Sequence, residues 1–288
     1  RSPVSNPPTR NCSQASRLAD GSDGDLDTVL NDGTGASTLK NRTSTAEEAS
    51  SSISDGMTVA MSGYAMAGYP KAVVEALVQR TRSGEDLSFG LITGANVPWL
   101  DDTLGAEHII SRRVPMVASR TLAAQANNGS LRYVEQQMSK MPRLLRCNSF
   151  GAIDVAVVGS LGFDANGDLI PSSAVGMTHY LMDAAKEVIV EINRAQPEGL
   201  RELHDIYIPE AAPNTQPIPL VRTNQRIGRS GIPVDPNRIR YIVETGIPER
   251  MGPQPSGTAA TKDIADHLLN FLELEIRKTG AQLPPIQT

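Results

Sequence analysis

An almost unbroken apolar run at residues 153–160 limits the folds open to this chain. A strand this apolar must be covered on both faces, which is typical of parallel sheets. Similar strand-like runs alternate along the chain with segments of helical periodicity. We predict strands at 57–62, 87–93, 153–160, 188–193 and 239–243, and helices at 44–53, 71–82, 177–185 and 258–277. This alternation predicts an α/β fold with a mainly parallel sheet and helices on both faces.

Charge and composition exclude several classes of partner. The 288 residues carry a net charge of −5, whereas surfaces that bind nucleic acid or anionic membranes need clustered Lys and Arg. No apolar run approaches the ~20 residues that cross a bilayer. We therefore predict neither nucleic acid nor membrane as a partner. Residues 1–38 are rich in Ser, Gly, Asp, Asn and Pro and are predicted to be disordered, because they cannot bury enough apolar surface.

The cysteines indicate a reducing compartment. Cys12 and Cys147 are the two cysteines of the chain, and Cys12 lies in the segment predicted to be disordered. A structural disulfide is therefore not expected, which favours a cytoplasmic location. Residues 1–19 contain three arginines and no acidic residue, a pattern also found in organelle transit peptides, so a mitochondrial location is the alternative.

A glycine-containing loop at 62–70 is the first candidate binding element. It connects a predicted strand to a predicted helix, and Gly63 and Gly68 would let the backbone approach a ligand closely. The start of the following helix would attract an anion. The alternative is a tight turn without a ligand. The spacing is not G-x-G-x-x-G, so a dinucleotide cofactor is not predicted.

Two further polar segments could contribute to a site. Ser172 and Ser173 precede a predicted helix, where they could contact a ligand or simply cap the helix. Glu191 and Asn193 end an apolar strand. They could be active-site groups, but such residues more often satisfy the backbone of neighbouring loops.

No metal site is predicted. The acidic stretch at 164–168 resembles a calcium loop, but Leu169 and Val175 stand where such a loop needs Gly and Glu. The Asn-Gly pair in this stretch predicts a hairpin turn instead. The four histidines are scattered, and the common hydrolase, metalloprotease and P-loop motifs are absent from the sequence.

Eight short segments, taken together and in order, resemble one known family. They are Ser-Gly-Tyr-x3-Gly-Tyr-Pro-Lys at 62–71, Leu-Ile-Thr-Gly-Ala at 91–95, Asp-Val-Ala-Val-Val at 154–158, Pro-Ser-Ser-Ala-Val-Gly at 171–176, Val-Ile-Val-Glu-Ile-Asn at 188–193, His-Asp-Ile-Tyr at 204–207, Gln-Arg-Ile-Gly at 225–228 and Val-Asp-Pro-Asn-Arg-Ile at 234–239. The chain resembles the N-terminal half of the acetyl-CoA hydrolase/transferase family, which includes acetate, succinate and propionate CoA-transferases. The resemblance implies a CoA-transferase domain of the NagB/RpiA-like type over 39–280, with 281–288 as the start of a linker to a second domain.

The resemblance also implies a mechanism and a set of site residues. In this family a glutamate of the second domain attacks the acyl-CoA thioester and forms a glutamyl-CoA thioester. That nucleophile is expected beyond Thr288, and Glu191 is not a substitute for it, so the chain alone is expected to be inactive. Coenzyme A is a substrate, and no cofactor is implied. The substrate-binding residues implied in this chain are Gly63, Gly68, Gly94, Ala95, Asn96, Ser172, Ser173, Gly176 and Arg250.

Several alternatives stay open at this point. Arg250 could face a substrate carboxylate or be a solvated loop residue. The whole enzyme could transfer CoA from a short-chain acyl-CoA to a small carboxylate, or hydrolyse acetyl-CoA. The chain itself could be a catalytically silent fragment or an interaction module. The family resemblance also implies a homodimer.

Overall fold

The computed structural model describes residues 39, 41–249 and 256–280. The predicted disorder of 1–38 and the predicted linker at 281–288 lie outside the described residues. The proposed domain boundaries therefore stay predictions.

The described residues form a nine-stranded sheet flanked by helices. Its strands are β1 (Thr43–Ser44), β2 (Thr58–Met61), β3 (Phe89–Thr93), β4 (Ile110–Val114), β5 (Arg132–Tyr133), β6 (Ile153–Phe163), β7 (Leu169–Pro171), β8 (Ala185–Asn193) and β9 (Ile239–Thr245). The α-helices are α1 (Ala46–Ser51), α2 (Ala72–Arg82), α3 (Pro98–Ala106), α4 (Arg120–Asn127), α5 (Met141–Arg146), α6 (Thr178–Ala184) and α7 (Ala259–Thr279). Short 3-10 helices lie at Met138–Lys140, Glu198–Glu202 and Pro236–Arg238.

Local sequence signals explain where several of these elements begin and end. The Thr45 hydroxyl accepts a hydrogen bond from the backbone N–H of Glu48 and so caps α1. A reciprocal capping box of Thr258 and Thr261 starts α7, which ends at Gly280 in the left-handed conformation. The predicted hairpin is confirmed, since β6 pairs antiparallel with β7.

The sheet is parallel apart from β7. Its strand order is β1-β9-β8-β6-β2-β3-β4-β5, with β7 attached to β6. The chain moves outward from β2 through β3, β4 and β5, and then returns to place β6 on the other side of β2. The order therefore reverses between β2 and β6, and α/β sheets bind ligands beyond the carboxyl ends of the strands at such a point.

Two hydrophobic cores cover the two faces of the sheet, which confirms helices on both faces. On one face, Val59 and Leu91 pack in the same cluster as Leu77 of α2 and Leu100 of α3. The second core combines the alternate residues of these strands with the side chains of α5 and α6. Its members include Ala60, Ile92, Ala156, Val158, Met141, Leu145, Leu181 and Met182. Both faces of β6 are therefore buried, as its unbroken apolar sequence predicts.

Helix α7 differs from the others because it buries none of its residues. Its large apolar side chains Ile264, Leu268, Leu269, Phe271 and Leu274 are all exposed. In the part of the chain that the structure describes, neither α7 nor any other helix is long and apolar enough to span a membrane.

Candidate active site

Three loops meet beyond the carboxyl ends of the central strands, at the point where the strand order reverses. The glycine loop (62–70) follows β2, the β3 loop (94–97) follows β3, and the serine turn (172–177) follows the β6–β7 hairpin. Met61, the last residue of β2, pairs with Thr93 on β3 and with Val157 on β6. The register of the parallel strands therefore brings the first two loops to the same edge of the sheet.

The glycine loop is held by bonds to its own backbone and to β6. The Ser62 hydroxyl donates to the Gly68 carbonyl oxygen at 2.7 Å and accepts from the Gly159 N–H at 2.8 Å. Tyr64 and Ala67 exchange a pair of backbone hydrogen bonds. Gly63 and Gly68 have φ angles of 127° and 72°, so this path of the backbone strongly favours glycine.

The glycine loop and the serine turn touch so closely that side chains are excluded between them. A Cβ atom added to Gly68 would lie 3.1 Å from both the Ser172 Oγ and the Ala174 Cβ. On the β3 loop, a Cβ atom on Gly94 would lie 2.7 Å from the Cβ of Met177. A Cβ atom on Gly176 would in turn lie 3.7 Å from the carbonyl oxygen of Gly63. These predicted residues therefore form one continuous contact surface between the loops, in which Gly63, Gly68, Gly94 and Ser172 are buried and Gly176 is exposed.

The β3 loop joins this surface through its backbone. The Asn96 carbonyl oxygen accepts from the Ala65 N–H of the glycine loop at 3.0 Å. The Ala95 carbonyl oxygen accepts from the Thr93 hydroxyl and, at 3.4 Å, from Arg113. Arg113 is itself fixed by a buried ion pair with Asp101 of α3. Ala95 and Asn96 are thus positioned by their carbonyl groups.

The serine turn does not cap α6, so that alternative is wrong. Helix α6 begins at Thr178, and its cap residue, Met177, makes no side-chain capping bond. Ser172 is 1% exposed, and its hydroxyl has no hydrogen-bond partner among the described residues. Ser173 is exposed. A buried hydroxyl without a partner is unusual, and here it lies beside the glycine loop.

The motif at 204–207 contacts the serine turn, and the motif at 225–228 packs against the 204–207 motif. The His204 Nε2 donates to the Ser172 carbonyl oxygen at 2.7 Å. The neighbouring Asp205 carboxylate accepts from the N–H groups of Ile227 and Gly228. A Cβ atom on Gly228 would lie 2.2 Å from the Ile206 carbonyl oxygen, so this glycine is needed for the two motifs to pack together.

Glu191 supplies the anion that the start of α2 attracts. Its carboxylate accepts backbone N–H bonds from Lys71 at 2.6 Å, Ala72 at 3.1 Å and Val73 at 3.0 Å. Burial raises the pKa of the Glu191 carboxyl above its ordinary value of 4.5, while these amides and the Lys71 ammonium oppose the rise. The expectation that α2 holds a ligand anion at its start is therefore corrected: a carboxylate of the chain already lies there.

These contacts give Glu191 a structural role. Both of its oxygens accept hydrogen bonds from α2, and the residue is 1% exposed. Asn193 likewise bonds the backbone around it, donating to the Ile247 carbonyl oxygen and accepting from the Ala195 N–H. The interpretation that these strand-end residues satisfy neighbouring backbone is confirmed.

Lys71 and Glu249 form a second charged pair that the sequence analysis did not identify. The Lys71 Nζ lies 3.1 Å from the Glu249 Oε2, and their side chains are 2% and 11% exposed. The Glu249 Oε1 accepts from the Gly68 N–H at 3.1 Å and from the Gln196 amide at 3.0 Å. A single signal in the sequence could have pointed here: a lysine placed directly after the glycine loop, where an apolar core begins.

Two further features of the sequence analysis concern Arg250 and metal binding. Arg250 lies outside the described residues, so the structure does not place its side chain. For metals, the described part of the chain holds no group of three or more His, Cys, Asp or Glu side chains arranged to bind an ion.

Comparison with known proteins identifies the family. Residues 35–246 match the family model described as acetyl-CoA hydrolase/transferase N-terminal domain. The succinyl-CoA:acetate CoA-transferase of Clostridium kluyveri is 32% identical over 257 residues, covering 87% of this chain and 47% of the relative. The acetyl-CoA hydrolase of Kluyveromyces lactis is 30% identical over 247 residues, covering 81% and 47%. The chain thus spans about half the length of the curated relatives it matches.

A solved structure supports the fold. The crystal structure of RipA from Yersinia pestis matches with a TM-score of 0.59 and 19% identity, covering 82% of this chain and 49% of that one. The match of the family model over most of the chain decides the relationship, and it agrees with the motifs that line the three loops. This chain belongs to the acetyl-CoA hydrolase/transferase family and contains its N-terminal domain.

Proposed function

We propose that this chain forms the carboxylate-binding wall of an acyl-CoA:carboxylate CoA-transferase. The observation that carries the proposal is the joined surface of the glycine loop, the β3 loop and the serine turn. This surface lies at the reversal point of the sheet and includes the buried, unpartnered hydroxyl of Ser172. Such a surface would offer this hydroxyl to a small polar ligand.

The nucleophile of this reaction lies on a second half of the enzyme. Glu191 is unsuited to the role, because its oxygens are buried and bonded to α2. The relatives are about twice as long as the region matched here, which supports a further part that carries the glutamate. The exposed apolar face of α7 also fits contact with another protein part.

The chemistry then proceeds through two carboxylate–thioester exchanges. A glutamate oxygen of the second half attacks the thioester carbonyl, and the C–S bond breaks to release the CoA thiolate and leave an acyl-glutamyl anhydride. The thiolate attacks the glutamyl carbonyl, which releases the first carboxylate and leaves a glutamyl-CoA thioester. An acceptor carboxylate reverses these steps and leaves as the new acyl-CoA. Backbone amides would stabilise the oxyanions that develop.

Hydrolysis of acetyl-CoA is the second candidate. The 30% sequence identity to the acetyl-CoA hydrolase of Kluyveromyces lactis favours it. The same intermediates form, and water replaces the acceptor carboxylate. In both cases this chain would bind the acyl group or the acceptor, and coenzyme A would be a substrate. The two candidates differ only in what reaches the glutamyl-CoA thioester.

A fusion experiment tests the proposal. This chain is produced alone and fused to the second half of the Clostridium kluyveri CoA-transferase, and both proteins are given succinyl-CoA with and without acetate. We expect no turnover by the chain alone, acetyl-CoA formation by the fusion with acetate, and free CoA without acetate only if hydrolysis operates. Turnover by the chain alone would contradict the placement of the nucleophile. A folded but inactive fusion would favour a silent interaction module instead.

A further inference from the structure

We propose that Lys71, the Gly68 amide and Gln196 form a binding site for a substrate carboxylate, which Glu249 occupies until the substrate displaces it. The three donors converge on one carboxylate. The Glu249 Oε1 accepts from Gly68 and Gln196, and the Glu249 Oε2 lies 3.1 Å from the Lys71 Nζ. The Glu249 carboxylate therefore accepts two hydrogen bonds at Oε1, whereas Oε2 is in ion-pair contact with Lys71 and has no hydrogen-bond partner among the described residues.

Two of the three donors, Lys71 and the Gly68 amide, are held in place by contacts that do not involve Glu249, whereas the Gln196 side chain bonds to Glu249 itself. The Lys71 Nζ donates to the Tyr69 carbonyl oxygen at 3.2 Å and lies 4.4 Å from the centre of the Tyr69 ring. Gly68 is fixed by the bond from the Ser62 hydroxyl to its carbonyl oxygen. Removal of the Glu249 carboxylate would therefore leave Lys71 and the Gly68 amide preorganised, which lowers the free energy needed to bind a replacement.

Glu249 is held differently from the other carboxylate of the cluster. Glu191 belongs to strand β8 and is fixed by the backbone of α2. Glu249 lies four residues beyond the end of β9, outside any helix or strand, and is the more exposed of the two. A loop residue can leave its position without disrupting the sheet, so Glu249 is the carboxylate that can be exchanged.

Displacement follows from the charge balance. The buried Lys71 ammonium requires an anionic partner, because an unpaired charge at 2% exposure is strongly disfavoured. A third carboxylate added beside Glu191 and Glu249 would suffer repulsion in a poorly solvated site. An incoming carboxylate is therefore accommodated only when Glu249 leaves, and the exchange keeps the charge of the cluster constant.

The site selects small carboxylates. The part of Glu249 beyond its Cβ has the size of acetate, so acetate would replace both its oxygens and its terminal carbons. The unpartnered Ser172 hydroxyl beside Gly68 offers one further hydrogen bond to a ligand. The assignment of this ligand as the acyl or acceptor carboxylate rests on the proposed function, whereas the binding site itself does not.

Acetate binding by the full chain tests the exchange. The titration is followed by the ¹⁵N chemical shift of the Gly68 amide in the wild type, Glu249→Ala, Glu249→Ala with Lys71→Met, and Glu244→Ala. Glu244 is a partly exposed residue of β9 paired with Arg194 and serves as the matched control. If Glu249 fills the site more than about 90% of the time, its removal should tighten acetate binding at least about tenfold. Glu244→Ala should bind like the wild type, and the double variant should not bind.

Two results would overturn the exchange. One is a Glu249→Ala protein that does not bind acetate. The other is a wild type whose Gly68 amide does not shift at acetate concentrations well above those that saturate Glu249→Ala, which would make the Lys71–Glu249 pair purely structural. If Glu249→Ala does not fold, Glu249→Gln replaces it, since loss of charge on the partner of Lys71 should also tighten acetate binding. If the fusion is inactive but acetate displaces Glu249, the enzyme proposal is refuted and the carboxylate site stands. If the fusion is active but acetate does not displace Glu249, the enzyme proposal stands and the carboxylate site is refuted.

Discussion

Replacement of Glu191 by Ala should destabilise the fold. The Glu191 carboxylate holds the start of α2 in place, and the glycine loop leads directly into this helix. The Glu191→Ala change leaves three backbone N–H groups without an acceptor in a buried region. Each buried donor left unpaired costs about 1–3 kcal/mol, and loss of an anion at a helix start costs up to about 2 kcal/mol. These contributions overlap, so we expect a total loss of about 3–5 kcal/mol, the range seen when one partner of a buried charged pair is removed.

The Glu191→Gln variant removes the negative charge of the side chain but keeps its size. Its amide keeps one oxygen as an acceptor, but its NH₂ group would face backbone donors of α2, so we expect a loss of about 2 kcal/mol. Urea unfolding followed by circular dichroism measures both variants. Glu187→Gln on the same strand is the control: Glu187 pairs with Arg240 in a partly exposed ion pair, and its loss should cost less than about 1 kcal/mol.

The refuting result is a Glu191→Ala protein as stable as Glu187→Gln. That outcome would mean that water or another group can replace the carboxylate at the start of α2. Hydrogen exchange gives an independent measurement, because the amides of Lys71, Ala72 and Val73 should lose protection in Glu191→Ala before the rest of α2 does. Uniform protection along α2 would contradict the proposed role of Glu191.

Two further predictions concern the glycine loop and the helix α6. Gly68→Ala should destabilise the chain by about 1–3 kcal/mol more than Gly56→Ala, since both have positive φ but only Gly68 faces close neighbours; equal losses in urea unfolding would contradict the packing against the serine turn. Burial lowers the pKa of His179 below 6.5. The neutral His179 side chain therefore stabilises the folded chain fully above pH 6.5, and this contribution to the free energy of unfolding is lost as the pH falls through the lowered pKa. An NMR titration midpoint at or above 6.5, or a stability difference from His179→Gln that grows on acidification, would show the opposite sign.

The elements that sequence analysis identified are those whose signals are local. The run at 153–160 is apolar on both faces because both cores cover it. Strand β4 went unnoticed, because its sequence contains Arg112 and Arg113. The second of these arginines is fully buried and is paired with Asp101 of α3. A charged residue inside a strand looks like a surface residue until its partner, which lies in another element, is known.

The candidate site shows the same division between local and distant information. The glycines and serines of the loops could be found from sequence, because each lies in a short segment that connects predicted strands and helices. Glu191 could be found as a polar strand end, but its pairing with the start of α2 could not, and Glu249 was not identified at all. Glu191 is 120 positions from Lys71, and Glu249 is 181 positions from Gly68. The pattern at 62–71 predicts that an anion is attracted, but it contains no information on whether that anion is a ligand or part of the chain.

The structure answers that question twice, with different consequences for binding. Glu191 comes from the middle of the sheet, where β8 is paired on both sides, so its departure would break strand pairing as well as the bonds to α2. Glu249 comes from a loop, so its departure breaks mainly its own contacts. The same lysine lies between a permanent carboxylate and an exchangeable one. A site built this way keeps its cation neutralised in the absence of substrate, and its affinity for a substrate carboxylate is set by how tightly the loop holds Glu249, not by the strength of the ion pair itself.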